Sequence, residues 1–328
     1  MALHNSYVVI MTIEYVQRES ADLMTKARIL TRAAGVAAAL TLLAVVPAGM
    51  SVGAATPARR AAFPSLLNVA LVPNQNQQKV FASVGPLGTS LKRALGVTVN
   101  LTVPANYAAV VQGMASGHVD VAYFGGLTYE QAKKFVSCEP IVTAAHGGVT
   151  TYHSLIIVPA TSPYHLITDL AGQKKITFAF GDPSSTSGHL YPLVGLNDAG
   201  INPDKDFAHV RFTGNHQATA LAVENGAAQA GAVEDDILTQ LEKQGVVDAT
   251  QIRVIWESAS IPGYPWVARE ALGSTTIRRI TTAFLGIHDA AVFKGFLGGT
   301  ATAFVPARDQ DYATVRAYAT RTGLVGGQ

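Results

Sequence analysis

Cysteine is almost absent. Cys138 is the only one in 328 residues, so no intrachain disulfide can form and no Cys/His cluster with zinc-ligand spacing exists. Charge is also scarce: Asp, Glu, Lys and Arg supply 14% of the chain, with a formal net charge of +2. No basic stripe interleaved with aromatics is present, which argues against a nucleic-acid partner. No G-x-S-x-G elbow surrounds the serines discussed below, as a nucleophile of that type requires. The longest apolar run near the N-terminus, 33–46, is short for a bilayer crossing, which needs about 20 residues. Against these absences stands a hydrophobic fraction of 48%, enough for a substantial core and unlike a disordered chain.

The N-terminal region has the layout of an export signal. Met24-Thr-Lys-Ala-Arg-Ile-Leu-Thr-Arg32 carries the positive charge, 33–46 the apolar stretch, and Val52-Gly-Ala-Ala55 the small residues of a cleavage site. Residues 1–55 are therefore read as an extension plus signal, with translation starting at Met24 as one reading and the mature chain beginning near Thr56. An uncleaved anchor is the alternative. No cysteine lies at the end of the apolar run, so attachment through a lipidated cysteine is not expected.

Downstream, β-branched apolar runs recur at 67–72, 97–103, 119–124, 154–158, 176–180, 210–213 and 252–256, and helical patterns separate most of them. In 107–116, Tyr107, Val110, Val111 and Met114 share a face before Gly117. Helices are likewise expected at 217–225 and 235–244. The alternation predicts an α/β protein with mainly parallel sheets. Two stiff extended segments, Ser154-Leu-Ile-Ile-Val-Pro159 and Ile261-Pro-Gly-Tyr-Pro-Trp-Val267, read as crossings between lobes. The expected division is 56–157 plus 265–328 for lobe one and 158–264 for lobe two, with a binding cleft between them.

The segment Gly181-Asp-Pro-Ser-Ser-Thr-Ser-Gly188 follows a strand pattern and precedes a helix pattern. A helix N-terminus there leaves backbone N–H groups without intrahelical partners, and Ser185, Thr186 and Ser187 add hydroxyl donors at the same end, which suits an anion. The same residues also read as an ordinary helix-capping cluster. Ser185, His216 and Asp235 can be assembled on paper into a nucleophile, base and orienter, so a hydrolase is a rival reading. Its discriminating requirement is a spatial triad.

An ordered set of motifs resembles the phosphonate/phosphite-binding family of periplasmic solute-binding proteins that serve ABC importers. The set runs through Leu71-Val-Pro-Asn-Gln-Asn-Gln-Gln78, Leu95-Gly-Val-Thr-Val99, Asn106-Tyr-Ala-Ala109 and Val119-Asp-Val-Ala-Tyr-Phe-Gly125. It continues with Asp182-Pro-Ser-Ser-Thr-Ser-Gly188, Gly214-Asn-His-Gln-Ala-Thr-Ala-Leu-Ala-Val223, Ile255-Trp-Glu-Ser-Ala-Ser-Ile-Pro262 and Phe304-Val-Pro306. The resemblance implies a type II periplasmic-binding fold, a small oxyanion ligand, an ABC permease partner and a periplasmic or cell-envelope location. A monomer without a cofactor is expected, and the cysteine count argues against a structural metal. It places Ser185, Thr186 and Ser187 on the ligand oxygens and completes the shell with Tyr107 and His216. Asp235 and Asp236 lie where the family often has a carboxylate. Such a group only accepts hydrogen bonds and favours a ligand bearing a P–OH or an amine; capping the 235–244 helix is the plainer role for either acid. Where family members that hold aminoalkyl phosphonates use an aromatic hydroxyl and an acid, this chain has Phe124 beside Tyr123, and Tyr264. Losing the acid points away from 2-aminoethylphosphonate and towards phosphite or a short alkyl phosphonate. A sulfonate or vitamin precursor on the same fold is the alternative ligand class.

Overall fold

The computed structural model describes residues 63–296 and 300–326. The export-signal reading lies outside the described residues. Thirteen strands are described: β1 Leu66–Leu71, β2 Thr98–Thr102, β3 Val121–Tyr123, β4 Cys138–Ala145, β5 Thr151–Tyr152, β6 Ser154–Pro159, β7 Thr177–Phe180, β8 His209–Phe212, β9 Ala230–Glu234, β10 Ile252–Glu257, β11 Ile261–Pro262, β12 Trp266–Arg269 and β13 Ala303–Pro306. They build a six-stranded sheet in the order β13-β4-β12-β3-β1-β2, a five-stranded sheet in the order β10-β6-β9-β7-β8, and a short β11-β5 pair. Each large sheet is the floor of one lobe of an α/β protein.

The sheets are mixed, which corrects the expectation of mainly parallel ones. β2 and β3 flank β1 in parallel, and β8 and β9 flank β7 in parallel. The strands that carry the chain from lobe to lobe, β6 and β12, pair antiparallel with both of their neighbours. A strand entering from the other lobe needs no helical crossover, so nothing forces it to run with the rest. β6 belongs wholly to the five-stranded sheet, so a division at 157/158 falls inside a strand.

Alternation along β6 shows how the second lobe is filled. Leu155 and Ile157 enter one apolar cluster with Val223, Ile237 and Leu241, while Ile156 and Val158 enter another with Phe178, Phe180 and Leu196 on the opposite face. The helices that matter for the site are α1 Tyr107–Ala115, α2 Gly126–Ala132, α3 Tyr191–Asp198, α4 His216–Glu224 and α5 Asp235–Lys243. The core of the six-stranded lobe extends across to Leu190, Tyr191 and Val194 at the start of α3, so the two lobes are packed together at this point.

Candidate functional site

The serine cluster starts a helix in an unusual way. After β7 the chain turns at Asp182, whose carboxylate accepts from Ser184 N at 2.8 Å, and Thr186–Leu190 then form a single π turn before α3 begins. Such widened turns recur at functional sites because they re-aim side chains that an α turn would direct elsewhere. Ser185 is the N-cap, its Oγ accepting from Gly188 N at 2.9 Å. Gly188 is required here: a Cβ would stand 2.9 Å from Ser185 Oγ, 3.1 Å from His216 Cε1 and 3.2 Å from Gly181 Cα. Thr186 Oγ1 accepts from Leu127 N in the other lobe at 2.9 Å, and Ser154 Oγ donates to Ser187 O at 2.6 Å. Ser185 and Thr186 both serve as acceptors in these bonds, so the proton of each hydroxyl is left to donate.

Two more helix starts converge on the turn. Asn106 caps α1 by accepting from Ala109 N at 2.9 Å, which buries Tyr107 in the first turn. Asn215 caps α4 by accepting from Ala218 N at 2.8 Å, and His216 N donates to Asn74 O of the opposite lobe at 3.1 Å. Among the described residues, Tyr107 Oη, Tyr152 Oη, Ser187 Oγ and both His216 ring nitrogens are buried without a hydrogen bond of good geometry, with Tyr107 lying beside Ser185 and Tyr264 and Tyr152 beside Ser187. Buried polar atoms left without one are rare, because each forfeits its hydration without recompense. Here they come from both lobes and are grouped beside the serine turn.

Glu234 completes the shell. It ends β9 opposite Ser154, is 6% exposed, and its Oε2 accepts from Tyr264 Oη at 2.6 Å. His216 Nε2 lies 3.7 Å from the same oxygen, close but beyond a hydrogen bond. Burial pushes the Glu234 carboxyl well above the usual carboxylate range, against the lowering by the Tyr264 bond and with the help of Asp235 and Asp236. Burial alone holds His216 down at about 3, so its imidazole is neutral. Tyr107, Tyr123, Tyr152 and Tyr264 are all raised by burial first, with Asp182 or Glu234 adding to it, and keep their phenolic protons. Tyr264 stacks on Tyr123 at 5.0 Å and leans on Tyr152 at 5.3 Å. Beside this wall lies a cavity of about 290 Å³, bounded by Tyr123, Tyr152, Glu234 and Tyr264 and reaching Asp236 and Lys243 at its exposed end.

The residues nominated from sequence separate into groups. Ser185, Thr186, Ser187, Tyr107 and His216 are brought together, and Tyr123 and Tyr264 adjoin them. Phe124 lies in the hydrophobic core, its backbone N–H donating to Pro265 O at 3.0 Å. Strand alternation turns Tyr123 to the cavity and its neighbour away. Asp235 bonds His153 Nδ1 at 3.0 Å, not His216, so the serine, histidine and aspartate do not form a triad. Asp236 lines the outer cavity. The carboxylate of the inner shell is Glu234, which sequence reading passed over in favour of the two acids that follow it. Tyr152, too, went unnoticed.

Two α/β lobes with neutral donors, a buried carboxyl and a small cavity between them define a two-lobed solute-binding protein of the periplasmic type. Residues 69–312 match the family described as "ABC transporter, phosphonate, periplasmic substrate-binding protein", and the chain belongs to it. It is similar to the phosphate-import protein PhnD of Mycolicibacterium smegmatis, with 32% identity over 309 residues covering 88% of this chain and 94% of that one. It is also similar to the phosphonates-binding periplasmic protein of Escherichia coli, 32% identical over 221 residues, 67% of this chain and 65% of that one. Among solved structures, PhnD1 of Prochlorococcus marinus in complex with methylphosphonate superposes with a TM-score of 0.71 at 26% identity, covering 79% of this chain and 98% of that chain.

Proposed function

We propose that this protein is the exported capture component of an ABC importer and holds a compact phosphorus oxyanion, phosphite or a short alkyl phosphonate, between its lobes. The observation that carries this reading is the group of buried polar atoms of Tyr107, Tyr152, Ser187 and His216, none with a hydrogen bond of good geometry, beside the serine turn. An oxyanion placed there accepts from the Ser185, Thr186 and Ser187 hydroxyls and the Tyr107 phenol, and takes one donor from His216, which as a neutral imidazole has one N–H. The shell has no lysine or arginine among the described residues, so the charge is met by hydrogen bonds and dipoles at three helix starts. Lobe closure excludes water and strengthens those bonds.

The names of the relatives support the class, and phosphate joins the ligands to be tested because the Mycolicibacterium relative is named for it. Replacement of the family's acid by Tyr264 does not leave the shell without a carboxylate, since Tyr264 donates to Glu234. An aminoalkyl phosphonate therefore joins the ligands to be tested. Binding is noncovalent, the protein is a monomer, and an ABC permease receives the ligand. The export signal delivers it to the periplasm or cell envelope without a lipidated cysteine, and the boundary of lobe one moves from 157 to the start of β6, giving 56–153 plus 265–328.

Calorimetric titration of the purified protein with phosphite, methylphosphonate, 2-aminoethylphosphonate, phosphate, sulfate and taurine tests the reading. At least one phosphorus compound is expected to bind more tightly than sulfate and taurine by two or more powers of ten. Tightest binding of taurine would instead assign the cleft to sulfonates.

A further inference from the structure

Glu234 is the odd member of a shell made of donors. In its ionised form a carboxylate can only accept, and a fully ionised oxyanion can only accept, so the two facing each other have nothing to share and repel. Tyr264 donates to Oε2, His216 Nε2 stands 3.7 Å from the same oxygen, and Glu234 lines the cavity, so the carboxyl sits between the histidine of the donor shell and the cavity wall. Ionisable groups approach this carboxyl from several elements, and His146 and Lys294 also line the adjoining cavity. Tyr264 comes from the β11-β12 crossing, His216 from the start of α4, and Asp235 and Asp236 from α5; Tyr107, Tyr123 and Tyr152 approach from α1, β3 and β5. Lys243 is at the exposed end of the adjoining cavity. The acids near it raise its proton affinity, and the aromatic hydroxyls offer donors without positive charge.

Resting on the reading of the cleft as a phosphorus-oxyanion site, we propose that Glu234 holds one proton jointly with an oxygen of the bound ligand, making capture proton-coupled. A ligand arriving as its protonated form brings that proton on a P–OH. A ligand arriving fully ionised binds when the Glu234 carboxyl carries it, and where both are ionised one proton is taken from solvent. Where both carry a proton one is released to solvent, and all four routes give the same one-proton complex. A sulfur oxyanion, which stays fully ionised, depends on Glu234 or solvent for that proton, whereas a phosphorus oxyanion that titrates near neutrality can also bring it, and this is the chemical difference Glu234 reads. A phosphate-type second ionisation near pH 6 illustrates the relevant range.

The test is calorimetry with methylphosphonate from pH 6 to 9, each point in two buffers of different ionisation enthalpy. With the wild-type protein, affinity is expected to fall towards tenfold per pH unit in the alkaline half, with buffer-dependent heats approaching one proton taken up per ligand. Glu234→Gln is expected to flatten that slope and abolish the uptake. His216→Gln, though weaker in affinity, is expected to keep the uptake, which separates the carboxyl from the imidazole even if the first variant fails to fold. Equal slopes in Glu234→Gln and wild type, or no uptake in the wild-type protein, would overturn the proposal and leave the ligand class intact. Tight binding of 2-aminoethylphosphonate alone, without proton uptake, would also overturn it by making Glu234 an ammonium partner. Failure of every phosphorus compound to bind would remove both this inference and the reading beneath it.

Discussion

At the scale of single residues, burial in the cleft works against charge, holding His216 neutral and raising the proton affinity of Glu234. His216 in the ligand-free protein is held at about 3, so as the pH falls through its unfolded value near 6.5 the unfolded chain gains a proton that the folded chain refuses. Stability from this residue is thus lost on acidification, at about 1.4 kcal/mol per pH unit over the window between those values. Glu234 works in the opposite sense: its raised carboxyl keeps a proton that the unfolded chain gives up above about 4.5, so its share is lost as pH rises. The difference between two proteins isolates one residue. Urea unfolding of His216→Gln against wild type, without ligand, is expected to move in favour of the variant by about 1.4 kcal/mol per unit from pH 6.5 down to pH 4.5. A difference that does not change with pH would mean that His216 is charged in the folded protein.

The residues that sequence reading found and missed divide along a physical line. Ser185, Thr186, Ser187, Tyr107 and His216 were legible because each stands at a helix start marked by Ser or Asn caps, where backbone donors are exposed whatever the tertiary context. Glu234 was not, because its inward direction comes from the pairing of β9 with β6 across a sheet, which no local pattern announces. The neighbouring Asp235 and Asp236 drew attention as a charged pair, yet one bonds His153 and the other lines the outer cavity.

At the scale of elements, the strands with dense β-branched runs were read correctly, including β1, β6, β7 and β10. β9, with the sequence Ala-Gly-Ala-Val-Glu, escaped because burial against neighbours makes it a strand, not propensity, and β12 was legible only as the end of the extended 261–267 crossing. The serine segment was expected to lead directly into a helix, but Thr186–Leu190 form a π turn first. That turn depends on the close passage of Gly188 past Gly181 and His216. Gly188→Ala is therefore expected to destabilise the protein by about 1–3 kcal/mol in urea unfolding and to abolish calorimetric ligand binding, since the added methyl displaces Ser185 and His216 together. Wild-type affinity in a folded Gly188→Ala protein would show that the turn does not shape the site.

At the scale of the whole molecule, the two lobes are joined by direct bonds at the site as well as by the crossing strands. Leu127 N donates to Thr186 Oγ1 at 2.9 Å, Thr128 Oγ1 to Ser184 O at 2.9 Å, and His216 N to Asn74 O at 3.1 Å. These bonds use the same turn and the same helix start as the proposed oxyanion contacts, so closure and capture stabilise one another. The contact of Thr186 with the other lobe is close: a Cβ on Gly125 would stand 2.9 Å from its Oγ1. A closed cleft of this kind predicts where the ligand must be. The most direct measurement is a crystal structure of the protein with methylphosphonate. The phosphonate oxygens are expected within hydrogen-bond distance of the Ser185, Thr186 and Ser187 hydroxyls, Tyr107 Oη and a His216 ring nitrogen. A ligand bound instead in the outer cavity between Asp236 and Lys243, with Tyr107 and His216 still without hydrogen bonds of good geometry, would contradict the account.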